Sequence, residues 1–279
     1  MKQVGLIGYP VAHSRSPQMH NAAFREIGFD AEYVLWETPP ETLARRVGLL
    51  RAPDLLGANV TIPYKEDVVP LLDECDGLAI RIGAVNTIVN RNGKLIGYNT
   101  DAPGMLRALA ECPGSPFNSR DKEAVILGTG GAARAAAIAL LGAGAQSITL
   151  LGRDKARINI LLDHLSATAN RQINGALFNG AEARACLRTA DLVVNATSIG
   201  LKSSDDPLLI DVNLLPTSSV VMDMVFNAGL TPLLQAARAH GCFVMHGLSM
   251  LLYQGTLAFE LWTGRDAPVE VMRKALGLP

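Results

Sequence analysis

The sequence predicts an α/β fold with two domains. Short apolar runs alternate with segments of helical periodicity along almost the whole chain, which is typical of sheets covered by helices. A glycine-rich loop stands between one apolar run and an alanine-rich helical segment, where α/β proteins turn from strand to helix. The 279 residues, of which 49% are hydrophobic, suffice for two cores, and we expect a cleft between the domains.

The first unit is predicted to alternate strands and helices. Its strands are expected at residues 4–8, 31–36, 57–62, 84–89 and 94–98. The last two strands are predicted to form a hairpin, because they flank an Asn-Arg-Asn-Gly turn. In the first helix Ser16 is the predicted N-cap, Pro17 the first helical residue and Gly28 the terminator, and a second helix is expected over residues 40–50.

The second unit is predicted to carry a parallel sheet. Its strands are expected at residues 124–128, 147–151, 176–178, 192–195, 220–224 and 243–245. From about Met250 the chain is apolar and helical again, and we expect this tail to return to the first unit. The predicted domains are therefore residues 1–101 with 247–279, and residues 102–246.

The loop Gly128-Thr129-Gly130-Gly131-Ala132-Ala133 fits the G-x-G-x-x-G/A pattern of dinucleotide-binding domains. The glycines permit a tight turn and let the backbone approach a pyrophosphate. The following helix offers free N–H groups and the positive end of its dipole. Glycine turns also serve ordinary strand-to-helix packing, but the correct flanks favour a Rossmann-type dinucleotide-binding domain.

The strand after this loop ends at Gly152-Arg153-Asp154, where such domains read the adenosine ribose. Arg153 and Arg157 are placed to pair with the 2′-phosphate of NADP, and a guanidinium can do so through two hydrogen bonds. Asp154 would either repel that phosphate or cap the next helix. NADP is the predicted cofactor, and NAD stays open as the alternative.

Ser14 and Ser16 follow the first predicted strand and directly precede a helix. Backbone donors and the helix dipole favour an anion at such a point, so a substrate carboxylate is a natural ligand for the two hydroxyls. A simpler alternative is that Ser16 only caps its helix.

Further polar side chains end other predicted strands of the first unit. Asn59, Thr61 and Lys65 lie at the end of one strand, while Asn86 and Asp101 follow at later strand ends. Singly these residues fit a turn, a cap or a solvated lysine. Together they offer amide, hydroxyl, amine and carboxylate groups where α/β sheets place their ligand crevices, which predicts binding and proton transfer on a hydroxylated small molecule.

These motifs resemble the shikimate dehydrogenase family almost from end to end, and they stand in family order. They are the serine motif, Asn-Val-Thr-x-Pro-x-Lys, Gly-Ala-Val-Asn-Thr, Asn-Thr-Asp, Gly-x-Gly-Gly, Asn195–Gly200, Asp223–Val225, and Gly247–Leu251 with Gln254. The resemblance implies the reversible NADPH-dependent reduction of 3-dehydroshikimate to shikimate, a step of aromatic amino acid biosynthesis.

The resemblance also implies roles for individual residues. Lys65 and Asp101 would be the catalytic acid–base pair. The residues that would bind substrate are Ser14, Ser16, Asn59, Thr61, Asn86 and Gln254. Those that would contact the cofactor, besides the two arginines, are Gly128, Gly130, Gly131, Ala132, Asn195, Ala196, Thr197, Met224 and Gly247.

The chain departs from the family pattern at four places. Gly152-Arg153-Asp154 replaces the Asn-Arg-Thr of NADP users, Phe226 replaces tyrosine, and Ser249 and Gly255 replace glycine and alanine. The open alternative is a quinate or dual shikimate/quinate dehydrogenase that uses NAD, and aminoshikimate is a further possible substrate. A more remote one is a nucleotide-sensing binding protein without catalysis.

Composition and charge argue against several other classes of protein. The net charge of −1 and the interspersed charges predict no nucleic-acid partner and no anionic membrane. The four cysteines form no CxxC or Cys/His cluster, so we expect no metal site. With no signal-like or membrane-spanning apolar run, the protein is expected to be cytoplasmic. The expected partner is a small-molecule substrate, and both monomer and homodimer stay open.

Overall fold

The computed structural model describes residues 1–166, 171–200, 207–225 and 229–278. The chain divides into two compact units, residues 1–104 with 251–279 and residues 105–250. Phe226, one of the four departures noted above, lies outside the described residues. No helix in the described part of the chain combines the length and hydrophobicity that a bilayer crossing requires.

The strands of the first unit form a mixed sheet. They are β1 (Lys2–Gly8), β2 (Ala31–Glu37), β3 (Leu55–Val60), β4 (Glu74–Cys75), β5 (Thr87–Arg91) and β6 (Lys94–Tyr98). Their order is β2-β1-β3-β5-β6-β4, with β1 parallel to both of its neighbours and β5 antiparallel to β3 and β6. The β5–β6 hairpin turns at Asn92 and Gly93, whose φ angles of 55° and 90° are those a two-residue hairpin loop requires.

The strands of the second unit form a fully parallel sheet. They are β7 (Glu123–Leu127), β8 (Ser147–Gly152), β9 (Gln172–Leu177), β10 (Leu192–Asn195), β11 (Val220–Asp223) and β12 (Phe243–Met245). Their order, β12-β11-β10-β7-β8-β9, is that of a doubly wound dinucleotide-binding domain. The order reverses between β7 and β10, so the loops after these two strands diverge and open a crevice at their carboxyl ends. The predicted α/β class and its Rossmann-type sheet are confirmed.

The helices connect and cover these sheets. They are α1 (Ser16–Glu26), α2 (Leu43–Leu49), α3 (Gly77–Ile82), α4 (Asp101–Ala110), α5 (Gly131–Gly142), α6 (Lys155–Ser166), α7 (Ala181–Leu187), α8 (Pro232–His240), α9 (Gly247–Thr263) and α10 (Val269–Ala275). The core of the first unit includes buried side chains from β1, β3, β5, β6 and α2: Ile7, Leu43, Val47, Ala58, Val60, Ile88 and Leu95.

Several predicted boundaries were wrong. Arg15, not Ser16, is the N-cap of α1, and Ser16 is the first helical residue. The helix expected over residues 40–50 is a 3₁₀ turn at Pro40–Thr42 followed by α2. The strand expected over 57–62 is shifted two residues earlier, because Pro63 cannot donate to a ladder and the chain leaves the sheet before it.

Two further boundaries were wrong, and two short elements of the first unit were missed. The strand expected over 84–89 begins only at Thr87, so Asn86 stands in the loop before β5. The last long helix starts at Gly247 instead of Met250. The short strand β4 and the helix α3 were not expected, although Asp76 caps α3 through Ala79 N and Gly83 ends it.

Candidate active site

Lys65 and Asp101 form an ion pair in the first unit. Lys65 Nζ lies 2.7 Å from Asp101 Oδ2, and the side chains are 20% and 8% exposed. Asp101 is the first residue of α4, where the helix dipole favours a carboxylate. The backbone of Lys65 is fixed as well, because its carbonyl accepts from Val85 N at 2.7 Å. The ammonium group keeps further hydrogens for a ligand, since only one is needed for Asp101.

Asn86 holds the other oxygen of the same carboxylate. Asn86 Nδ2 donates to Asp101 Oδ1 at 3.0 Å and to Thr100 Oγ1 at 2.9 Å, and Gln254 Oε1 lies 3.3 Å away. Asn86 Oδ1 accepts from Thr100 N at 2.7 Å. The amide is 2% exposed, so these contacts are made away from water. Asp101 is therefore held at both oxygens, and each oxygen has a different donor.

Asn59 supports this arrangement from β3. Its Nδ2 donates to Asn86 O at 3.1 Å and to Thr87 Oγ1 at 3.0 Å, and its Oδ1 accepts from Tyr33 Oη at 2.8 Å. With both amide hydrogens engaged and the side chain 5% exposed, Asn59 orients the loop that carries Asn86.

The other substrate-side candidates lie at the ends of β1 and β3. Ser14 Oγ accepts from Ser16 N at 3.2 Å, which brings the two predicted serines together at the start of α1. Ser16 is buried, and Ser14 is half-buried. Thr61 follows β3 and donates its backbone N–H to Ile7 O at 2.9 Å, so it stands beside the end of β1.

Sequence reasoning missed the residues that connect these groups. Tyr33, Thr87 and Thr100 supply hydrogen bonds between the predicted residues, yet their partners lie far away along the chain: Tyr33 and Asn59 are 26 residues apart. Thr87 and Thr100 carried a signal, because they stand in the Gly-Ala-Val-Asn-Thr and Asn-Thr-Asp motifs. Tyr33 carried none.

Gly104 sets the distance between the helices that carry Asp101 and Gln254. A Cβ at Gly104 of α4 would lie 2.6 Å from Gln254 N and 2.9 Å from its Cα. These are backbone atoms of α9, so a side chain at 104 could fit only if α9 moved. The close approach keeps Gln254 within reach of Asn86.

We expect Gly104→Ala to lower the free energy of unfolding by roughly 1–3 kcal/mol through overpacking. Gly48→Ala is the matched control, because Gly48 is helical and exposed and a Cβ there would meet nothing within 4 Å. Alanine at 48 should stabilise the protein by up to about 1 kcal/mol through helix propensity. Urea unfolding at pH 7 measures both. Equal effects of the two substitutions would contradict the packing role of Gly104.

His20 is a buried titratable group behind the site. It is 0% exposed, and neither ring nitrogen has a hydrogen-bond partner in the described part of the chain. Burial lowers the pKa of His20 from 6.5 to about 3. The unfolded chain therefore takes up a proton as the pH falls below 6.5, while the folded protein does not, and stability is lost in that window.

We expect His20 to account for about 2 kcal/mol of the stability lost between pH 7 and pH 5. His20→Phe should reduce the loss by that amount, whereas His13→Ala, at an exposed histidine, should leave it unchanged. Urea unfolding of the three proteins at both pH values measures the difference. A loss in His20→Phe as large as in the unsubstituted protein would show that His20 is free to protonate in the fold.

The glycine loop of the second unit is shaped for a phosphate group. Gly128 has a φ of +115°, which disfavours any other residue, and its N–H donates to Leu151 O at 2.8 Å. Gly130 is the N-cap of α5 without a side-chain cap, and a Cβ there would meet nothing within 4 Å. Gly131 and Ala132 begin the helix, so open space lies before its first N–H groups. The loop therefore fits the pyrophosphate of a dinucleotide.

The segment after β8 resolves the role of Asp154. Asp154 Oδ1 accepts from Ala156 N at 2.8 Å and from Arg157 N at 3.4 Å, so the carboxylate caps α6. Arg153 and Arg157 are both exposed beside it. A Cβ at Gly152 would lie 2.9 Å from the Ile158 side chain, so a larger residue there would force Ile158 to shift.

Asn195 and Asp223 tie together the ends of β10 and β11. Asn195 Nδ2 donates to Asp223 Oδ1 at 3.0 Å, and Asn195 Oδ1 accepts from Thr197 Oγ1 at 2.7 Å and from Thr197 N at 3.1 Å. Thr231 Oγ1 donates to Asp223 Oδ2 at 2.7 Å. Burial raises the pKa of Asp223, and the bonds from Thr231 and Asn195 oppose that rise. The Asn195 side chain thus shapes its turn.

The remaining cofactor-side candidates lie next to this group of hydrogen bonds. Ala196 N donates to Leu127 O at 2.9 Å, and Met224 N donates to Asn195 O at 3.0 Å. A Cβ at Gly247 would lie 2.7 Å from Val225 O. A Cβ at Gly128 would lie 3.1 Å from Ala196 O. The second unit therefore brings the Ala196–Thr197 turn and the glycine loop together where the strand order reverses.

Two protein-family models match segments of the chain that lie almost wholly in the first unit. The family model for the shikimate dehydrogenase substrate binding domain matches residues 6–88, and that for the shikimate 5′-dehydrogenase C-terminal domain matches residues 247–276.

Relatives and solved structures extend the similarity over nearly the whole chain. The shikimate dehydrogenase (NADP(+)) of Symbiobacterium thermophilum is 46% identical and spans 98% of this chain and 92% of its own length. The shikimate dehydrogenase (NADP(+)) of Methanopyrus kandleri is 44% identical, and the match covers 98% of this chain and 94% of the relative. The shikimate 5-dehydrogenase of Thermus thermophilus, solved with NADP(H) and shikimate, has a TM-score of 0.88 at 36% identity over 99% of each chain.

Proposed function

This chain belongs to the shikimate dehydrogenase family, and we propose that Lys65 and Asp101 are its catalytic acid–base pair. The reaction is the reversible NADPH-dependent reduction of 3-dehydroshikimate to shikimate. The observation that carries the assignment is the 2.7 Å contact between Lys65 Nζ and Asp101 Oδ2, with Asn86 holding the other carboxylate oxygen.

The chemistry assigns a different task to each partner. When shikimate is oxidised, its reacting hydroxyl must lose a proton, and Lys65 Nζ is the group that exchanges it with the substrate oxygen. Asp101 orients Lys65 by accepting a hydrogen bond from Lys65 Nζ. The chemistry that bound NADP would supply is acceptance of the hydride from the carbon that carries this hydroxyl.

The remaining substrate contacts follow from the same network. Ser14 and Ser16 hold the carboxylate of the substrate, while Thr61, Asn86 and Gln254 face its ring hydroxyls. Asn59 acts through Asn86, since its own amide hydrogens are engaged in the protein. The amide hydrogens of Asn86 are engaged as well, so Asn86 would meet a ring hydroxyl through its oxygen. We assign residues 1–101 and 247–279 to the substrate domain and residues 102–246 to the NADP domain.

The cofactor contacts fall into two groups. The glycine loop and the first N–H groups of α5 would hold the pyrophosphate, and Arg153 with Arg157 would pair with the 2′-phosphate. Because Asp154 is engaged in capping α6, its charge is partly balanced by the helix N-terminus and opposes a phosphate less. Met224 and Gly247 are assigned to the nicotinamide side.

A four-way steady-state assay tests the proposed function: shikimate and quinate, each with NADP and with NAD. We expect the highest kcat/KM for shikimate with NADP. A highest value for quinate with NAD would replace the proposal by a quinate dehydrogenase. No change of nicotinamide absorbance with any pair, despite measurable cofactor binding, would support a binding protein instead.

A further inference from the structure

The segment Asp223–Val225 begins with a fully buried carboxylate. Asp223 is the last residue of β11 and is 0% exposed. Its Oδ1 accepts from Asn195 Nδ2 at 3.0 Å and from Val225 N at 3.1 Å. Its Oδ2 accepts from Thr231 Oγ1 at 2.7 Å. Three hydrogen-bond donors of the protein therefore surround a carboxylate that is closed off from solvent.

The side-chain amide of Asn195 is wholly engaged within the protein. Its Nδ2 uses both hydrogens, one on Asp223 Oδ1 and one on Ile199 O at 3.1 Å. Its Oδ1 accepts from Thr197 N and from Thr197 Oγ1. Because a carbonyl oxygen only accepts and a backbone N–H only donates, Ile199 and Thr197 fix which end of the amide faces Asp223. The Asn195 side chain therefore shapes the protein and has no hydrogen left for a nucleotide.

The hydroxyl of Thr197 is engaged in the same turn. It donates to Asn195 Oδ1 at 2.7 Å, because an amide oxygen can only accept, and it accepts from Ile199 N at 3.1 Å. The turn lies against the glycine loop, since a Cβ at Gly128 would be 3.1 Å from Ala196 O and 3.2 Å from Thr197 Cγ2. The hydrogen bonds of Asn195 thus hold the backbone and the methyl group that stand next to the glycine loop.

The same carboxylate holds the segment that follows β11. Val225 N donates to Asp223 Oδ1, and Met224 N donates to Asn195 O at 3.0 Å. Asp223 therefore connects two segments that carry proposed cofactor contacts. One is the Ala196–Thr197 turn after β10, and the other is Met224 at the end of β11.

A carboxylate suits this position better than any neutral side chain. It accepts at both oxygens and presents no hydrogen, so it matches the three donors around it. Hydrogen bonds to an ionised group are also stronger than those between neutral groups. A site that is held in place before its ligand arrives binds more tightly, because binding then need not order the chain. The contacts of Asp223 therefore bear on the affinity of the site for a dinucleotide.

We propose that Asp223 is a positioning residue for NADP: through Asn195 and Val225 it fixes the Ala196–Thr197 turn and Met224 in the arrangement that binds the dinucleotide. This inference rests on the proposed function, because it takes that turn and Met224 as cofactor contacts. It gives a role in cofactor binding to a buried side chain whose contacts are all with the protein.

The dissociation constant of NADPH, measured by fluorescence titration without substrate, tests the proposal. It is compared among the unsubstituted protein, Asp223→Ala and Asp223→Asn. Asp191→Asn is the control of the same chemistry, because Asp191 accepts from Lys122 Nζ but directly precedes β10, at the opposite end of that strand. Ser219→Ala is the control of equal burial, because Ser219 is 0% exposed and its hydroxyl donates to a backbone carbonyl directly before β11.

We expect Asp223→Ala to raise the dissociation constant of NADPH about tenfold, because Asn195 and Val225 lose their shared acceptor. Asp223→Asn should raise it about threefold, since one side-chain oxygen can keep both contacts without the charge. This variant keeps the shape of the side chain, and it serves if Asp223→Ala does not fold. Both controls should stay within about twofold of the unsubstituted protein. The midpoint of thermal unfolding of every variant shows whether a loss of stability alone could produce this order.

Two failures can be told apart. If the unsubstituted protein binds NADPH and the folded Asp223 variants bind it as tightly, the role of Asp223 is overturned and the proposed function stands. Controls that weaken binding as much as the Asp223 variants would overturn it as well. If the unsubstituted protein binds neither NADPH nor NADH, the proposed function fails before any variant is compared, and this inference fails with it.

Discussion

Replacing Lys65 by alanine is expected to lower kcat for shikimate about 10²–10⁴-fold, the usual contribution of a positioned acid or base. The methyl group of alanine can neither accept nor return the proton of the reacting hydroxyl. Binding of NADP should change little, because the glycine loop and both arginines belong to the other unit. Steady-state rates and a fluorescence titration with NADPH separate the two effects.

Lys94→Ala is the control for Lys65. Lys94 also pairs with an acid, Glu74, but both side chains are about half exposed, at 48% and 54%. Its replacement should leave kcat unchanged, since exposed pairs of this kind contribute little. A Lys65→Ala enzyme that turns over at a near-normal rate would remove Lys65 from the mechanism.

Asp101→Asn is expected to lower kcat on the order of 10²-fold, although the side chain keeps its shape. Asp101 accepts from Lys65 at one oxygen and from Asn86 at the other. An asparagine has one oxygen and one NH₂ group, so a donor must face either Lys65 or Asn86. Either Lys65 loses its acceptor, or Asn86 turns away and the side chain at position 101 is no longer fixed from both sides. In both cases Lys65 loses its negatively charged partner.

Asp73→Asn is the matched substitution for Asp101. Asp73 likewise accepts from a basic side chain, Arg51, and from a backbone N–H, that of Leu95, but it stands at the surface. Asp73→Asn should lower the free energy of unfolding and leave kcat unchanged. Thermal unfolding and steady-state rates on both variants distinguish a lost structural contact from a lost catalytic one. Normal kcat in Asp101→Asn would contradict the pairing.

The sequence predicted the fold class and much of the second unit, because its motifs are local. The strands at residues 192–195 and 243–245 have the predicted bounds, and the glycine loop lies between β7 and α5 as expected. Strand, glycine turn and helix are consecutive in the chain, so their pattern can be read without knowing the tertiary structure.

The support of the candidate site could not be predicted, because it joins residues that are distant in sequence. Asn86 contacts Gln254 across 168 residues, and Tyr33 is hydrogen-bonded both to Asn21 of α1 and to Asn59 of β3. The error at Ser16 is a shift of one residue. A serine before Pro17 fits an N-cap, but in the fold Ser16 is already the first helical residue and the cap position falls to Arg15.

A double-substitution cycle tests most directly whether Lys65 and Asp101 act as one unit. The rates compared are kcat for shikimate oxidation in Lys65→Ala, in Asp101→Asn and in the protein that carries both. Since Asp101 works through Lys65, the double variant should be slower than Lys65→Ala by no more than about threefold. Losses that multiply would show that the two residues contribute independently, and would contradict the acid–base pair.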